Sequence, residues 1–550
     1  MLQRIKKLTF TDGILLLALL LVGAFHESVS CLLSAVMGAH LMLRREKTFL
    51  LPKSPMALAI AAICLGYGLS CFWAVDRGMA FIGFLKFLPL ILYLVCLQQD
   101  RPGCALVVLP YAGAAMAVVS GVGMQIPVLR SAFSVAGRLA GFFQYPNTFA
   151  VFLLVCELLL MKKQEKKLWD YLTLALLVAG LLYTGSRTAF VVAVLSNAVM
   201  LLTVTGKKAR MAILILGGAV CTAVAILAFS ENSVLNRYLQ ISLTESTFVG
   251  RILYVVDALP LILKHPFGMG FMGYSYVQGS IQTGMYSVAY IHNDFVQLLL
   301  DTGWIPAALL MWAAGVWLFN KRVPVADKII VCAVGLHCLF DFDLQFVGMG
   351  LLLLTLTHED GKPTAHKCTV PLRLATGAAT AVCVYMGLAL CLAQFGATGA
   401  ANAMYPGNTA NKLTMLEQAE DPAAAAALAD EILKQNDACY VPYSIKAKYA
   451  YSQGDFGTLI TNKKAVFQRN PFAYEEYEEY CQMLLTGIAL YEQAGDSRSA
   501  QVCRQELITT RKALEANADR LSPLGKMITD QPVTQLPEEI QRAIDQLEKP

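Results

Sequence analysis

The chain has 550 residues, of which 56% are hydrophobic and only 15% are charged, with a formal net charge of +5. A soluble globular protein carries roughly 25% charged residues, so this composition excludes a soluble globular chain. It predicts instead an all-α polytopic membrane protein. We expect no nucleic-acid partner.

Apolar segments recur along the first 394 residues. Crossing about 30 Å of hydrocarbon takes roughly 20 apolar residues. Because about thirteen segments approach that length, we predict about 12–13 transmembrane helices. The predicted spans lie at 12–25, 28–43, 56–74, 78–97, 103–122, 146–161, 168–184, 187–204, 210–229, 293–318, 328–343, 345–357 and 372–394.

Basic residues fall in alternate loops, which predicts the orientation of the chain. Lys and Arg accumulate in short cytoplasmic loops, and here they cluster near 4–7, 44–47, 101, 162–167, 207–210, 321–322 and 362–373. The first apolar run has no convincing cleavage site, so it is predicted to be a signal anchor. The N-terminus is then cytoplasmic. Residues 1–398 form a multi-pass domain of the cytoplasmic membrane with a large outer loop at 230–291.

The composition changes after Gln394, and residues 399–550 are predicted to form an extracytoplasmic helical domain. From residue 400 onward, 15 Lys and Arg stand against 21 Asp and Glu, so this part is polar and acidic. Two segments, 428–437 and 462–471, align at a spacing of 34 residues, the period of tetratricopeptide helix pairs. An unrelated helical bundle stays open. A repeat array would present a concave surface for a protein partner.

Arginines in the predicted outer loops are exceptions to the charge pattern. Arg138 lies in a turn-rich loop, Gly137–Asn147, where it binds either a phosphate or lipid headgroups. Asn147 follows Pro146, and an asparagine at that place is typical of a helix N-cap. A supporting role of Asn147 in the site is the alternative.

The tight turn Thr184–Ala189 places Arg187 where a helix starts. The start of a helix attracts anions. A guanidinium there is repelled unless an anion lies between, which favours a phosphate site at Arg187. Ser186 is predicted to cap the helix.

The segment Gly250–Pro260 has helical periodicity but is too polar and too short to span the membrane, so we expect it in the interface plane. Arg251 again places a cation near a helix start.

His292 lies at the outer mouth of the next predicted span. A neutral imidazole is well suited to take a proton from a hydroxyl near neutral pH. Asp294 is a candidate to orient it, although Asn293 and Asp294 are equally suited to cap a helix, and a loop histidine is often only solvated. No metal site is expected, because His265 and His337 lack a recognisable ligand spacing.

Taken in order, these segments resemble the O-antigen ligase family, which groups membrane glycosyltransferases with related polysaccharide polymerases and protein O-oligosaccharyltransferases. The resemblance covers roughly residues 50–355 and is carried by Gly137–Asn147, Thr184–Ala189, Gly250–Gly270 and His292–Gly303. Tyr145–Asn147 departs from the more usual Asn-Pro-Asn-like run. A tetratricopeptide-like tail is found in only part of the family.

The resemblance implies a transfer, without metal or cofactor and with inversion, of a glycan from undecaprenyl diphosphate to an acceptor hydroxyl on the outer face. It implies that Arg138, Arg187 and Arg251 bind the diphosphate. It implies that His292 activates the acceptor. The acceptor stays open between a glycan, a lipid and a protein, as does polymerisation in place of ligation.

A transporter or flippase of anionic lipid-linked substrates is the alternative from another class. Its charged residues would lie near the membrane midplane and its two halves would resemble each other. Here the charged residues gather at the outer rim, and Lys86 is the one candidate midplane charge.

Overall fold

The computed structural model describes residues 8–44, 48–100, 103–228, 234, 237–242, 244–358, 364–367 and 370–548. The basic positions at 4–7, 45–47, 101 and 362–363 and part of the predicted outer loop, at 230–233, 235–236 and 243, therefore lie outside the described residues. Among the described residues, strands are limited to two short antiparallel pairs, Thr48–Leu51 with Thr364–Lys367 and Ser134–Val135 with Arg138–Leu139. The all-α membrane fold predicted from composition is confirmed.

The helices of the first 394 residues follow the apolar segments of the sequence. They are α1 (Phe10–Leu20), α2 (Glu27–Leu43), α3 (Pro55–Ser70), α4 (Arg77–Gln99), α5 (Ala105–Gly123), α6 (Arg130–Phe133), α7 (Pro146–Lys162), α8 (Leu168–Tyr183), α9 (Arg187–Thr203), α10 (Lys207–Ala228), α11 (Ser246–Lys264), α12 (Gly273–Ile281), α13 (Asp294–Thr302), α14 (Trp304–Phe319), α15 (Val325–His337), α16 (Val347–Leu356) and α17 (Val370–Gln394).

Within the described part of the chain, four helices are long and apolar enough to cross a membrane, judged by length and composition alone. They are Arg77–Gln99, Ala105–Gly123, Ser246–Lys264 and Arg373–Gln394. Apolar helices of 10–17 residues accompany them. The predicted number of spans, 12–13, is larger than the number of long helices, because several predicted spans form helices shorter than 18 residues.

Two predicted segments differ from the structure. The helix around Arg251 extends over Ser246–Lys264, and its 19 residues make it one of the four long apolar helices, so the prediction that this segment is too short to span is wrong. The predicted span 293–318 is broken at Gly303 into α13 and α14. Gly303 has a φ of +84°, and a Cβ there would lie 2.3 Å from the carbonyl oxygen of Pro266, so only glycine fits this break.

The helix ends define two faces of the membrane part. Helix α7 has Asn147 near its start and Lys162 at its end. The Lys162 ammonium pairs at 2.6 Å with Asp327, near the start of α15. Helix α15 then runs back in the opposite direction and ends at His337. We call the Lys162 end the basic face and the Asn147 end the site face. Chain segments from distant parts of the sequence meet at the site face, where Asn147 contacts Asp341, 194 residues away.

The C-terminal part consists of further helices. They are α18 (Thr398–Met404), α19 (Thr409–Glu417), α20 (Pro422–Gln435), α21 (Val441–Ser452), α22 (Phe456–Arg469), α23 (Tyr474–Gln493), α24 (Ser497–Glu515) and α25 (Glu538–Leu547). Gly454 and Gly495 lie in turns between helices, and Asp455 and Asp496 cap the helices that follow. The tetratricopeptide assignment stays a prediction.

Asp76 attaches the C-terminal part to the membrane part. Its buried carboxylate caps α4 through the amide of Met79 and also accepts hydrogen bonds from Thr409, Gln435 and Asn436. A buried carboxylate is stable only when its oxygen atoms are hydrogen-bonded. The contact therefore fixes α19 and α20 at the start of α4.

Candidate active site

The side chain at the centre of the site face is Asp341, which follows α15. Its side chain is fully buried, with a relative exposure of 0%. A buried carboxylate needs donors on both oxygens, and five donors surround this one. They are the Tyr145 hydroxyl at 2.9 Å, His292 Nδ1 at 3.3 Å, the Phe342 amide at 3.0 Å, Asn147 Nδ2 at 2.7 Å and Arg251 Nη2 at 3.1 Å.

These neighbours keep Asp341 ionised. Burial alone would raise the pKa of the Asp341 carboxyl, but the positive charge of Arg251 and the hydrogen bond from His292 hold that pKa well below its usual range. Asp341 is therefore an anion at neutral pH, and it can only accept hydrogen bonds.

His292 is oriented by this anion. Because the carboxylate only accepts, Nδ1 of His292 carries the proton and donates it to Asp341, which leaves the lone pair of Nε2 available. The ring lies 5.0 Å from that of Phe342 and 6.0 Å from that of Tyr254, and the side chain is 21% exposed. This arrangement suits a base that takes a proton from a bound hydroxyl.

Four arginines surround the turn between α8 and α9. Arg138 donates from Nε to the Thr184 carbonyl at 2.7 Å, and Arg237 donates from Nε to the Gly185 carbonyl at 3.3 Å. Arg251 donates from Nη1 to the Thr188 hydroxyl at 3.1 Å. Arg187 lies in the turn itself. We call these four residues the arginine cluster.

The arginine cluster concentrates positive charge in a partly buried place. Burial, together with the nearby charge of Arg237, lowers the pKa of Arg138 to about 10. Burial and the charge of Arg187 lower the pKa of Arg237. Both arginines stay cations at neutral pH, but their charge is less stable here than in water, and an anion bound among the guanidinium groups would stabilise it.

Arg187 has a protein anion beside it. Its Nη2 pairs with Glu245 at 2.6 Å and donates to the Thr247 hydroxyl at 3.1 Å. The sequence predicted a phosphate site at Arg187, which stays a prediction; among the described residues the guanidinium pairs with the carboxylate of Glu245. Ser186 caps α9 through the amide of Ala189 at 3.4 Å, as predicted.

Asn147 does not cap a helix, so that prediction is wrong. Helix α7 already begins at Pro146, after Tyr145, and Asn147 lies in its first turn. The Asn147 amide accepts from Arg138 Nη2 at 2.6 Å and donates to Asp341 at 2.7 Å. It therefore connects the arginine cluster to Asp341.

Asp294 does not orient His292 either. The carboxylate of Asp294 accepts from the Leu344 amide at 3.0 Å, whereas the carboxylate that contacts the His292 ring is that of Asp341. Asn293 caps α13 through the amides of Phe295 and Val296, the role that the sequence suggested for it. Sequence reasoning missed Asp341 and Glu245, and it assigned no role to Arg237, although Arg237 is one of the basic residues in the predicted outer loops.

One group of possible metal ligands occurs among the described residues. The buried side chains of Asp294, Cys338 and Asp343 place ligand atoms within 4.8 Å of one another. Asp343, however, already accepts from His337 Nδ1 at 2.6 Å and from the Thr148 hydroxyl at 2.7 Å. A tetrahedral zinc site needs four ligands, one more than this group offers.

Residues 172–312 match the family model described as O-Antigen ligase. The matched range contains Arg187, Arg237, Arg251 and His292, and it supports the O-antigen ligase family and a membrane enzyme of the glycosyltransferase type. No curated protein is similar enough to this chain to count as a match. Asn147 and Asp341 lie outside the O-antigen ligase match and reach its residues only through the fold.

Changing Arg251 to lysine is expected to lower transfer roughly tenfold or more while the protein stays folded. Arg251 uses two nitrogen atoms to bridge Thr188 and Asp341, and lysine offers a single nitrogen. Initial rates and melting temperatures of the purified variant check this. Arg322→Lys, an exposed change on the basic face, is the matched control. Equal rates for both variants would contradict a bridging role.

Proposed function

We propose that this protein transfers a glycan from an undecaprenyl-diphosphate carrier to an acceptor hydroxyl at the outer face of the cytoplasmic membrane. One observation carries the proposal: His292 and Arg251 bind the two oxygens of one buried carboxylate, that of Asp341. A base and a diphosphate-binding cation are thus held beside each other. Transfer from a lipid-linked diphosphate needs this pair of groups.

On the donor side, Arg138, Arg187 and Arg251 bind the diphosphate. Each guanidinium makes two hydrogen bonds to protein groups named above, and each carries five N–H donors, so donors remain for phosphate oxygens. The planar arrangement of these donors matches a phosphate better than an ammonium group does. Binding neutralises the leaving group, which gains negative charge as its bond to the sugar breaks.

On the acceptor side, Nε2 of His292 takes the proton of the attacking hydroxyl. The hydroxyl oxygen forms a bond to the anomeric carbon as the bond from that carbon to the diphosphate oxygen breaks. Attack from the face opposite the leaving group inverts the anomeric configuration. Asp341 stabilises the imidazolium that forms, and the proton then passes to solvent or to the released diphosphate.

Lys86 argues against the transporter alternative. It is fully buried, pairs with Glu27 at 2.9 Å and lies 4.7 Å from the centre of the Phe25 ring and 5.2 Å from that of Phe271. A midplane charge that binds a transported anion would need an open path and free donors. Lys86 is instead held in the protein interior by Glu27 and the aromatic rings. The groups suited to bind phosphate lie elsewhere, at the site face.

Reconstitution into liposomes tests the proposal. The purified protein is given a defined undecaprenyl-diphosphate oligosaccharide with candidate glycan, lipid and protein acceptors. We expect free undecaprenyl diphosphate and one glycosylated acceptor class, and an extending chain of donor units if the enzyme polymerises. Donor that crosses the bilayer without release of the lipid diphosphate would overturn the proposal in favour of a transporter.

Changing Glu245 to glutamine is expected to strengthen binding of inorganic pyrophosphate about 1.5- to fivefold. Glu245 competes with the diphosphate for Arg187, and a partly exposed ion pair of this kind contributes roughly 0.2–1 kcal/mol. Calorimetric titration of the full-length protein measures the change. Glu165→Gln, a change at the basic face in the α7–α8 loop, is the control. Weaker binding by the Glu245 variant would show that Glu245 holds Arg187 in place.

A further inference from the structure

A short C-terminal segment, residues 522–529, lies against the helix that carries Arg251, and we call it the C-terminal strap. The Ser522 amide donates to the Thr283 carbonyl at 2.9 Å, and the Thr283 hydroxyl donates to Ser522 Oγ at 2.9 Å. At its other end, the Thr529 amide donates to Ser246 Oγ at 2.8 Å. The strap is thus bonded both to the start of α11 and to the segment that follows α12.

Apolar side chains fill the space between these bonds. Ile528 and Leu524 of the strap pack with Val249 and Leu253 of α11 and with Tyr286. Val249 and Leu253 are 2% and 0% exposed. The strap covers this face of α11 together with Tyr286 and the segment around Gly284.

The backbones also approach closely at Gly525. A Cβ on this residue would lie 2.0 Å from the Thr283 carbonyl oxygen, far inside van der Waals contact. Any side chain larger than that of glycine must push the strap away from Thr283. The position offers a way to separate the two segments with a single substitution.

The helical spacing of α11 shows which of its residues face the strap and which face the active site. Ser246, Val249, Leu253 and Asp257 share one face of the helix, since they recur at intervals of three and four residues. Asp257 extends this face by accepting from the Thr283 amide at 2.8 Å, the Thr283 hydroxyl at 2.7 Å and the Tyr286 hydroxyl at 2.9 Å. At about 100° per residue, Arg251 lies roughly 150° around the helix from this face, toward Asp341.

We propose that the C-terminal strap is a positioning element of the active site: it holds α11 from one side, so that Arg251 reaches Asp341 and the donor diphosphate on the other. This inference rests on the proposed function. It assigns Ser522, Gly525 and Thr529 as positioning residues more than 230 residues away in sequence from the helix they hold. The active site is then complete only with the C-terminal part, whether or not that part also binds a protein partner.

The test uses Gly525→Val in the full-length protein, with Gly399→Val as the matched control. A Cβ on Gly399 meets nothing within 4 Å. Hydrogen exchange and the affinity for inorganic pyrophosphate are measured for both. We expect faster exchange in 246–257 and a roughly tenfold loss of pyrophosphate affinity for Gly525→Val only, because misplacement of a binding group by about 1 Å has large effects.

A milder double variant, Ser246→Ala with Ser522→Ala, removes hydrogen bonds without a clash and should give a smaller change in the same direction. It carries the test if Gly525→Val does not fold. Faster exchange in 522–529 with unchanged exchange in α11 and unchanged pyrophosphate affinity would overturn the proposal. If the unmodified protein binds no pyrophosphate, the diphosphate site of the proposed function is wrong, while exchange in α11 still decides the role of the strap.

Discussion

Replacing Asp341 with asparagine is expected to abolish glycan transfer and to lower the free energy of unfolding by about 3–5 kcal/mol, the range for breaking a buried ion pair. Asparagine keeps the shape of the side chain but has one acceptor oxygen in place of two. Its amide group would face the donors of Asn147 and Arg251, and the guanidinium would lose its counter-charge. Transfer rates and thermal unfolding in detergent measure both effects.

Asp327→Asn is the matched control for this change. Asp327 pairs with Lys162 at 2.6 Å on the basic face, where the lysine side chain is 39% exposed, so its loss should cost about 1 kcal/mol or less. A similar small effect for both variants would contradict a central role of Asp341.

The stabilising effect of Asp341 also has an expected pH dependence. Because its pKa is lowered in the folded protein, the stability that it contributes is complete above the unfolded value of about 3.9 and is lost as the pH falls further, toward the folded pKa. The difference in stability between the parent and Asp341→Asn should therefore become smaller as the pH falls below about 4. Thermal unfolding between about pH 5 and pH 3 measures it. An unchanged difference over that range would contradict a lowered pKa of Asp341.

Replacing His292 with alanine is expected to lower transfer roughly 10²- to 10⁴-fold, the usual contribution of a general base. Pyrophosphate binding and the melting temperature should change little, since the arginine cluster stays intact and the ring is partly exposed with one hydrogen bond at 3.3 Å. Single-turnover rates and calorimetry separate the two effects. The matched control is His265→Ala, at the end of α11. Retained transfer in the His292 variant would remove its role as the base.

One physical rule drew attention to the three arginines in the sequence. Basic residues are rare in outer loops, so Arg138, Arg187 and Arg251 were visible as exceptions. Arg187 begins α9, whereas Arg138 lies in the short strand pair before α7 and Arg251 lies in the second turn of α11. The fold brings all three to the site face. No local pattern in the sequence shows which side chains meet in the fold. Asp341 contacts Asn147 and Arg251, which lie 194 and 90 residues away.

Asp341 was missed for a related reason. Apolar residues dominate the mean hydropathy of the predicted span 328–343. Its two carboxylates and its histidine therefore had little weight in the prediction. Charged groups are costly in such a segment, so Asp341 and Asp343 together were a usable signal that the helix ends early. The structure ends α15 at His337, which leaves both carboxylates in the connection at the site face.

The buried pair of Lys86 and Glu27 has a consequence for biogenesis. A lysine at the centre of a membrane helix costs about 2.5–3.5 kcal/mol when it inserts alone. The chain is made from its N-terminus, so Glu27 of α2 is present before Lys86 of α4 leaves the ribosome. We expect Glu27 and the Phe25 ring to be in the membrane before Lys86 inserts. Helix α4 can then pair its lysine with Glu27 of α2 as it enters the bilayer.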